Sequence, residues 1–156
     1  MDARNPLPAE LERRLDNLIR LGTVAEVDHA HALCRVQTGG ILTTWLPWAP
    51  LRAGNTRTWC PPTVGEQVIV LSPSGEPGAG IVLTAVYTAA HDQPSNSPDD
   101  HVRLWPDGAI ERYNHAKSTY SLDVPVSGLI KIQIGPSSIE MDSNGVRVTA
   151  PRIDLN

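Results

Sequence analysis

The sequence lacks several features that define common protein classes. It has no phenylalanine, its aromatic content is 4%, and its 156 residues include two cysteines. Two cysteines do not make a disulfide framework, and we expect both to be reduced, small side chains buried in strands. No apolar run reaches about 18 residues, so no transmembrane helix is predicted. The first fifteen residues hold no apolar stretch of the secretory type, so we expect no Sec-dependent export.

The sequence also lacks an excess of basic residues. The chain has thirteen Lys and Arg residues and seventeen Asp and Glu residues, which give a net charge of −4. Proteins that bind phosphate backbones carry a basic surface, so this charge balance argues against a nucleic-acid partner. The nucleophile motif Gly-x-Ser-x-Gly and the metalloprotease motif His-Glu-x-x-His are both missing. We therefore expect a protein that is not an enzyme, with no cofactor and no catalytic residue.

Residues 1–22 are predicted to form one helix. Its apolar residues recur at helical spacing on a single face. Asn5 can cap this helix, Pro6 suits its first turn and Gly22 ends it. A helix of about 15 residues is marginal alone, so its apolar face packs either on its own domain or on a symmetry mate or partner protein. The apolar face consists of Leu7, Leu11, Leu15, Leu18 and Ile19.

Residues 23–88 are predicted to form five short strands separated by turns. Five strands in about 65 residues without an internal helix are typical of a small barrel, and the OB-fold is the natural candidate. Gln67–Leu71 is almost entirely apolar, which indicates a central strand. The predicted strands are Thr23–Val27, Ala32–Thr38, Leu42–Pro47, Glu66–Ser72 and Gly80–Val86.

Residues 89–100 have no periodicity and many turn-forming residues, which predicts a linker. Residues 101–156 then alternate apolar and polar side chains along short runs. Leu129–Ile134 places its isoleucines on one face, and Val146–Thr149 repeats the pattern. Asn144-Gly145, just before the second run, predicts a two-residue hairpin. We predict that the interior of this segment consists of Ile130, Ile132, Ile134, Val146 and Val148.

This segment has little bulk of its own to cover such an apolar face, and a lone small sheet has open edges. Three identical chains that wrap their strands around a threefold axis would cover both. The predicted fold class is therefore mainly β, with a short N-terminal helix, an OB-fold barrel and a C-terminal trimeric stalk of intertwined strands over 101–156. A small single-chain sandwich is the alternative.

Few residues have the spacing of a chemical site. His29-Ala-His31 is a His-x-His pair with no obvious third metal ligand, so exposed turn histidines are expected and no metal site is predicted. Cys60 is followed directly by two prolines, which makes a Cys–His dyad a poor interpretation. Three tryptophans in the barrel region suit core or trimer packing, a contact with a partner protein, or ligand stacking. We predict that Leu11, Leu15, Trp48 and Arg52 contact the partner.

Several motifs occur in the order found in a known family. They are Arg14–Asp28, Thr44–Trp48, Arg57–Trp59, Val64–Val68, Leu71–Pro73, Gly80–Leu83 and Pro106–Gly108. Together they resemble phage baseplate assembly protein V, the central spike family of P2-like contractile tails and R-type pyocins, over roughly residues 10–113. The resemblance implies a homotrimer with an N-terminal OB-fold and a triple-stranded β-prism or β-helix needle. It also implies that the spike sits on the baseplate hub at the end of the tail tube and is driven through the outer membrane of the target cell when the sheath contracts.

One family feature is missing from this sequence. Longer members end in an apex where one His-x-His motif from each of three chains binds iron, whereas no histidine follows His115 here. We therefore expect no iron tip, with a separate PAAR-like tip protein, a blunt end or a truncated sequence as the alternatives. The resemblance implies a particle component, made in the bacterial cytoplasm and released by lysis. A stand-alone OB-fold module that binds single-stranded nucleic acid or glycan is the second functional hypothesis.

Overall fold

A computed structural model describes residues 8–154 of the chain, and these divide between two compact units, Met1–Asp92 and Gln93–Asn156. In the first unit, helix α1 (Ala9–Leu18) precedes a six-stranded antiparallel sheet. The second unit holds two three-stranded sheets. None of the helices in the described part of the chain is long and apolar enough to span a bilayer.

The strands of the first unit pair in the order β3-β2-β1-β5-β6, and β4 pairs with β2. A parallel bridge between Trp48, directly after β4, and Val82 of β6 closes this sheet on itself, with Ala49 N donating to Val82 O at 2.8 Å. The strands are β1 (Ile19–Asp28), β2 (Leu33–Thr38), β3 (Ile41–Leu42), β4 (Leu46–Pro47), β5 (Gln67–Leu71) and β6 (Ile81–Val86).

The closed sheet encloses a small aliphatic core, which fits a sequence without phenylalanine. Alternate residues of each strand point inward, because side chains in a strand change face at every residue. The predicted small barrel and the central position of Gln67–Leu71, between β1 and β6, agree with this arrangement. The buried apolar residues are Val24, Cys34, Val36, Leu46, Trp48, Val68, Val70 and Val82.

The N-terminal helix is shorter than the sequence predicts. It ends at Leu18 rather than at Gly22, because Ile19–Thr23 forms ladder hydrogen bonds with β5 and a continued helix would forfeit them. The predicted cap Asn5 and first-turn Pro6 lie outside the described residues. A bulge between Val24 and Glu26 then lets β1 pair with β5 through its first half and with β2 through its second half.

The second unit consists of two antiparallel meanders. The first comprises β7 (Asp100–Leu104), β8 (Ile110–Asn114) and β9 (Thr119–Asp123). The second comprises β10 (Ile130–Ile134), β11 (Ser137–Asp142) and β12 (Gly145–Thr149). Not one described residue of this unit belongs to the buried class. The unit therefore has strands and turns but no core of its own.

Part of the predicted linker is structured against the first meander. The carboxylate of Asp100 accepts hydrogen bonds from Ser95 Oγ at 2.9 Å and from Asn114 Nδ2 at 2.7 Å. These bonds, that from Asn114 first, lower the pKa of Asp100. His115 Nε2 lies 3.0 Å from Asp99 Oδ1. After Gln93, polar side chains of the predicted linker therefore form hydrogen bonds and ion pairs with the first meander.

Gly22 is predicted to be a packing constraint of the barrel. A Cβ atom at this position would contact Val36 Cγ1 and would lie 2.8 Å from Gln37 O, so Gly22→Ala is expected to destabilise the first unit by about 1–3 kcal/mol. Thermal denaturation followed by tryptophan fluorescence measures this effect. Gly40→Ala is the matched control, since no atom lies within 4 Å of its Cβ position. Equal melting temperatures for the two variants would contradict the prediction.

Candidate functional site

The most unusual surface of the molecule is one face of the β10–β12 sheet. The strand register places Ile132, Ile139 and Val148 side by side in one row across the sheet. A neighbouring row contains Ile130, Met141 and Val146. All of these side chains except Ile130 belong to the exposed class, and Ile134, on the same face, is 81% exposed. The face is a continuous apolar surface that its own chain leaves uncovered.

The opposite face of the same sheet is a charge ladder. Lys131 Nζ lies 2.8 Å from Glu140 Oε1, and the Arg147 guanidinium lies 3.4 Å from Glu140 Oε2 and 2.8 Å from Asp142 Oδ2. The hydrogen bond from Lys131 holds the pKa of Glu140 below its ordinary value, and that from Arg147 lowers the pKa of Asp142. The charges on this face pair with one another, so the sheet is amphipathic, with one apolar and one charged side.

The two hairpin turns keep the strands in this register. Gly135 turns the chain between β10 and β11 at φ +53°, a left-handed conformation that residues other than glycine rarely adopt. Between β11 and β12 the turn residues are Ser143 and Asn144, one residue earlier than the Asn144-Gly145 pair that predicted the hairpin. Asp142 Oδ1 accepts from Asn144 N at 2.8 Å, which closes this turn. A slip of one residue would move every isoleucine to the charged face.

The structure places all five predicted interior residues on this one face. The sequence analysis missed Ile139 and Met141, which stand between the two predicted runs and join them into one surface. Their alternation with Glu140 and Asp142 was the signal that identifies them. They belong to β11, the central strand of the sheet, so they contribute to both cross-strand rows.

The β7–β9 sheet has no comparable face. One of its sides pairs Asp100 with Asn114 and Val102 with Arg112, and the other pairs His101 with Tyr113 and Arg103 with Glu111. The side that contains Val102 also holds the apolar pair of Leu104 with Ile110, so both sides mix charged and apolar side chains. Neither side offers the apolar partner that a single-chain sandwich would need to cover β10–β12.

A groove of about 470 Å³ lies on the first unit beside the loop 49–62. Trp59 is 61% exposed on its rim and stands 5.5 Å from the Trp48 ring, measured between ring centroids. Arg52 and Arg57 also line the groove. The loop is held by Thr58, whose N donates to Arg52 O at 3.0 Å and whose Oγ1 accepts from Arg52 N at 3.1 Å.

Trp48, one of the predicted partner contacts, is 7% exposed and belongs to the barrel core, where its backbone bridges to Val82. Its contact with a partner stays a prediction. Trp59 is the exposed tryptophan of this groove, whereas Arg52, Leu11 and Leu15 are exposed as a partner contact requires.

The candidate metal and nucleophile residues do not assemble into a site. His29 and His31 lie in the turn between β1 and β2, and His31 Nδ1 lies 2.7 Å from Asp28 Oδ2, a contact that lowers the pKa of Asp28. Within residues 8–154, no group of three or more His, Cys, Asp or Glu side chains has metal-binding geometry. The cysteines differ, since Cys34 is buried with its thiol pKa raised to about 11 by burial, whereas Cys60 is exposed rather than buried in a strand.

Comparison with known proteins agrees with the barrel geometry. Residues 20–87 match the family described as the type VI secretion system/phage-baseplate injector OB domain. The first unit is therefore similar to this OB domain, and the predicted mainly β fold with a short N-terminal helix and an OB barrel is confirmed. The β-prism or β-helix stalk is not part of what this comparison shows.

A curated relative is similar over a longer region. The "Spike protein" of Escherichia phage P2 is 45% identical over 114 residues, which are 72% of this chain and 54% of that protein. The predicted resemblance to the phage baseplate spike proteins is thereby confirmed. The matched region spans about half the length of that relative.

The charge ladder predicts a pH dependence for the second unit. The folded-state pKa values of Glu140 and Asp142 are lowered, so their ion pairs stabilise the fold fully above the ordinary glutamate pKa of about 4.5 and are lost as the pH falls through the folded values. Acidification is therefore expected to lower the melting temperature less in Glu140→Gln than in the unmodified chain. Asp123→Asn, which removes an exposed carboxylate from the other meander, is the control. The same acid-induced shift in all three proteins would contradict the prediction.

Proposed function

We propose that this chain is the structural central spike of a phage baseplate, or of a related contractile particle. In this proposal it acts as a homotrimer whose OB domains sit on the hub at the end of the tail tube. The second units form an intertwined stalk, which passes through the outer membrane of the target cell on sheath contraction. The injector OB domain and the P2 relative support the baseplate assignment.

The uncovered face of β10–β12 is the observation that carries the trimer. Full burial of one valine or isoleucine side chain contributes about 1.5–3 kcal/mol, and this face presents two complete cross-strand rows of such residues. Its edge strands β10 and β12 also leave backbone groups unpaired. Three copies with these faces toward a common axis would bury the apolar rows and could pair the edge strands. The β7–β9 sheet offers no apolar partner within the described part of the chain.

The charge ladder supports the same orientation. With the apolar rows inside, the row formed by Lys131, Glu140 and Arg147 lies on the outside of the stalk and is internally paired. Such a stalk is neutral and hydrogen-bonded at its surface, which suits a body that is pushed through a membrane by an external force. No reaction is required of it, because the work comes from the sheath.

The stand-alone binding module remains the second candidate, and the Trp59 groove is the observation in its favour. An exposed indole beside two arginines can stack a base or a sugar. Two arginines neutralise few phosphates, however, and the chain as a whole is acidic. An electrophoretic shift of oligonucleotides that weakens steeply with salt would favour this module over the spike.

Substitution of Ile132 tests the trimer. The unmodified chain is expected to have a light-scattering mass near three times 16.9 kDa and to resist SDS until boiled. Ile132→Asp would place three carboxylates near the axis and is expected to abolish both properties, since uncompensated buried charges are strongly destabilising. Gln133→Asp adds the same charge on the opposite face of the same strand and is expected to retain both.

The exposure of Ile132 allows this test to distinguish a trimer from a monomer. Ile132 is exposed in the single chain, so a monomeric protein would tolerate the aspartate. A monomeric mass for the unmodified chain, or a stable trimer from Ile132→Asp, would contradict the proposed stalk.

A further inference from the structure

Helix α1 presents its apolar face outward. The helix contacts its own barrel through a different side, where Asn17 is 6% exposed and accepts a hydrogen bond from Arg20 at 3.0 Å. The backbone of Arg14 also packs closely against Gly75. Leu11, Leu15 and Leu18, spaced by four and three residues, remain exposed. An apolar helix face in water requires another surface to cover it.

Unpaired carboxylates border this apolar face. Glu12 and Asp16 are four residues apart on one side of the leucines, and neither makes an ion pair or a side-chain hydrogen bond within residues 8–154. Glu10, in contrast, binds Arg13 and Arg14 at 2.9 and 2.8 Å, which lowers its pKa to about 2. The helix therefore offers a leucine stripe with two free negative charges along one edge.

The groove beside Trp59 has the complementary character. It is lined by apolar side chains, its cations are Arg52 and Arg57, and its lining includes no carboxylate. Within the described part of the chain neither arginine makes an ion pair, since the ion pairs of the first unit involve other residues. No residue of α1 lines the groove in its own chain. The first unit thus carries two different surfaces of opposite charge, each apolar at its centre.

Cyclic symmetry explains why both surfaces occur on one chain. In a ring of three identical subunits every contact is heterologous, so one surface of each protomer must fit a different surface of the next. We propose that in the homotrimer the leucine stripe of α1 docks in the Trp59 groove of the neighbouring protomer, with Glu12 and Asp16 facing Arg52 and Arg57. This inference rests on the proposed trimer, and it assigns Leu11, Leu15 and Arg52 to a contact between protomers.

The native thiols make the contact measurable. Cys60 is exposed and adjoins Trp59, whereas Cys34 is 0% exposed and its raised pKa keeps it protonated. In full-length Leu15→Cys, a short bismaleimide is expected to join position 15 of one protomer to Cys60 of the next and to yield covalent trimers on a denaturing gel. Addition of Cys60→Ser should abolish this product. Arg13→Cys places the thiol on the opposite side of the same helix and is the matched control.

Charge reversal tests the predicted pairing. In the Leu15→Cys background, Arg52→Glu with Arg57→Glu is expected to lower the cross-linked yield by about tenfold, because attraction is replaced by repulsion at two sites. Adding Glu12→Arg and Asp16→Arg to this protein should restore the yield, since both charges then reverse together.

The outcomes separate this inference from the proposed function. A monomeric mass by light scattering removes the trimer itself. If the mass is trimeric, three cross-linking results would each overturn the helix–groove contact alone. They are no cross-linking of Leu15→Cys, equal cross-linking of Arg13→Cys, and cross-linking of the two positions within one chain. Retained cross-linking after the arginine reversal also overturns the pairing, and binding of oligonucleotides that competes with cross-linking assigns the groove to nucleic acid instead.

Discussion

The apolar face of the β10–β12 sheet is the constraint from which the rest of the molecule's organisation follows. Two cross-strand rows of isoleucine, valine and methionine lie on one side of three short strands, and residues 8–154 provide no second apolar layer over them. The other sheet that the structure describes in this unit mixes charged and apolar side chains on both sides. Our proposal that the unit is one third of a stalk rests on this exposed face.

The first unit buries its apolar side chains within a single chain. Its strands close on themselves through the Trp48–Val82 bridge, and the alternate residues of each strand fill the enclosed space. Because this barrel is complete within one chain, its remaining exposed features are available for contacts. The outward leucine stripe of α1 and the arginine-lined groove beside Trp59 are such features, and they carry opposite charges. The chain therefore combines a domain that has its own core with a segment whose apolar face, in our proposal, is covered by neighbouring chains.

Much of this organisation follows from local sequence patterns. The strict alternation in Leu129–Ile134 and Val146–Thr149 predicted which side chains share a face, because a strand reverses its side-chain direction at every residue. The apolar run Gln67–Leu71 likewise predicted a strand flanked on both sides. Ile139 and Met141 show the same alternation but were assigned no place in the interior, because a short run alone does not reveal that it lies between the other two. Strand pairing is a non-local property.

The sequence by itself determined the order of elements, the barrel class and which residues share the apolar face of the second unit, since hydrophobic periodicity and turn residues act over a few neighbouring positions. Only the tertiary structure decided where α1 ends, because residues from Ile19 onward can extend a helical stripe or pair with β5, and the ladder hydrogen bonds prevail. It also decided that Trp48 is buried and Trp59 exposed. Both tryptophans lie beside prolines or turns, and their environments depend on the closure of a barrel by residues far apart in the chain.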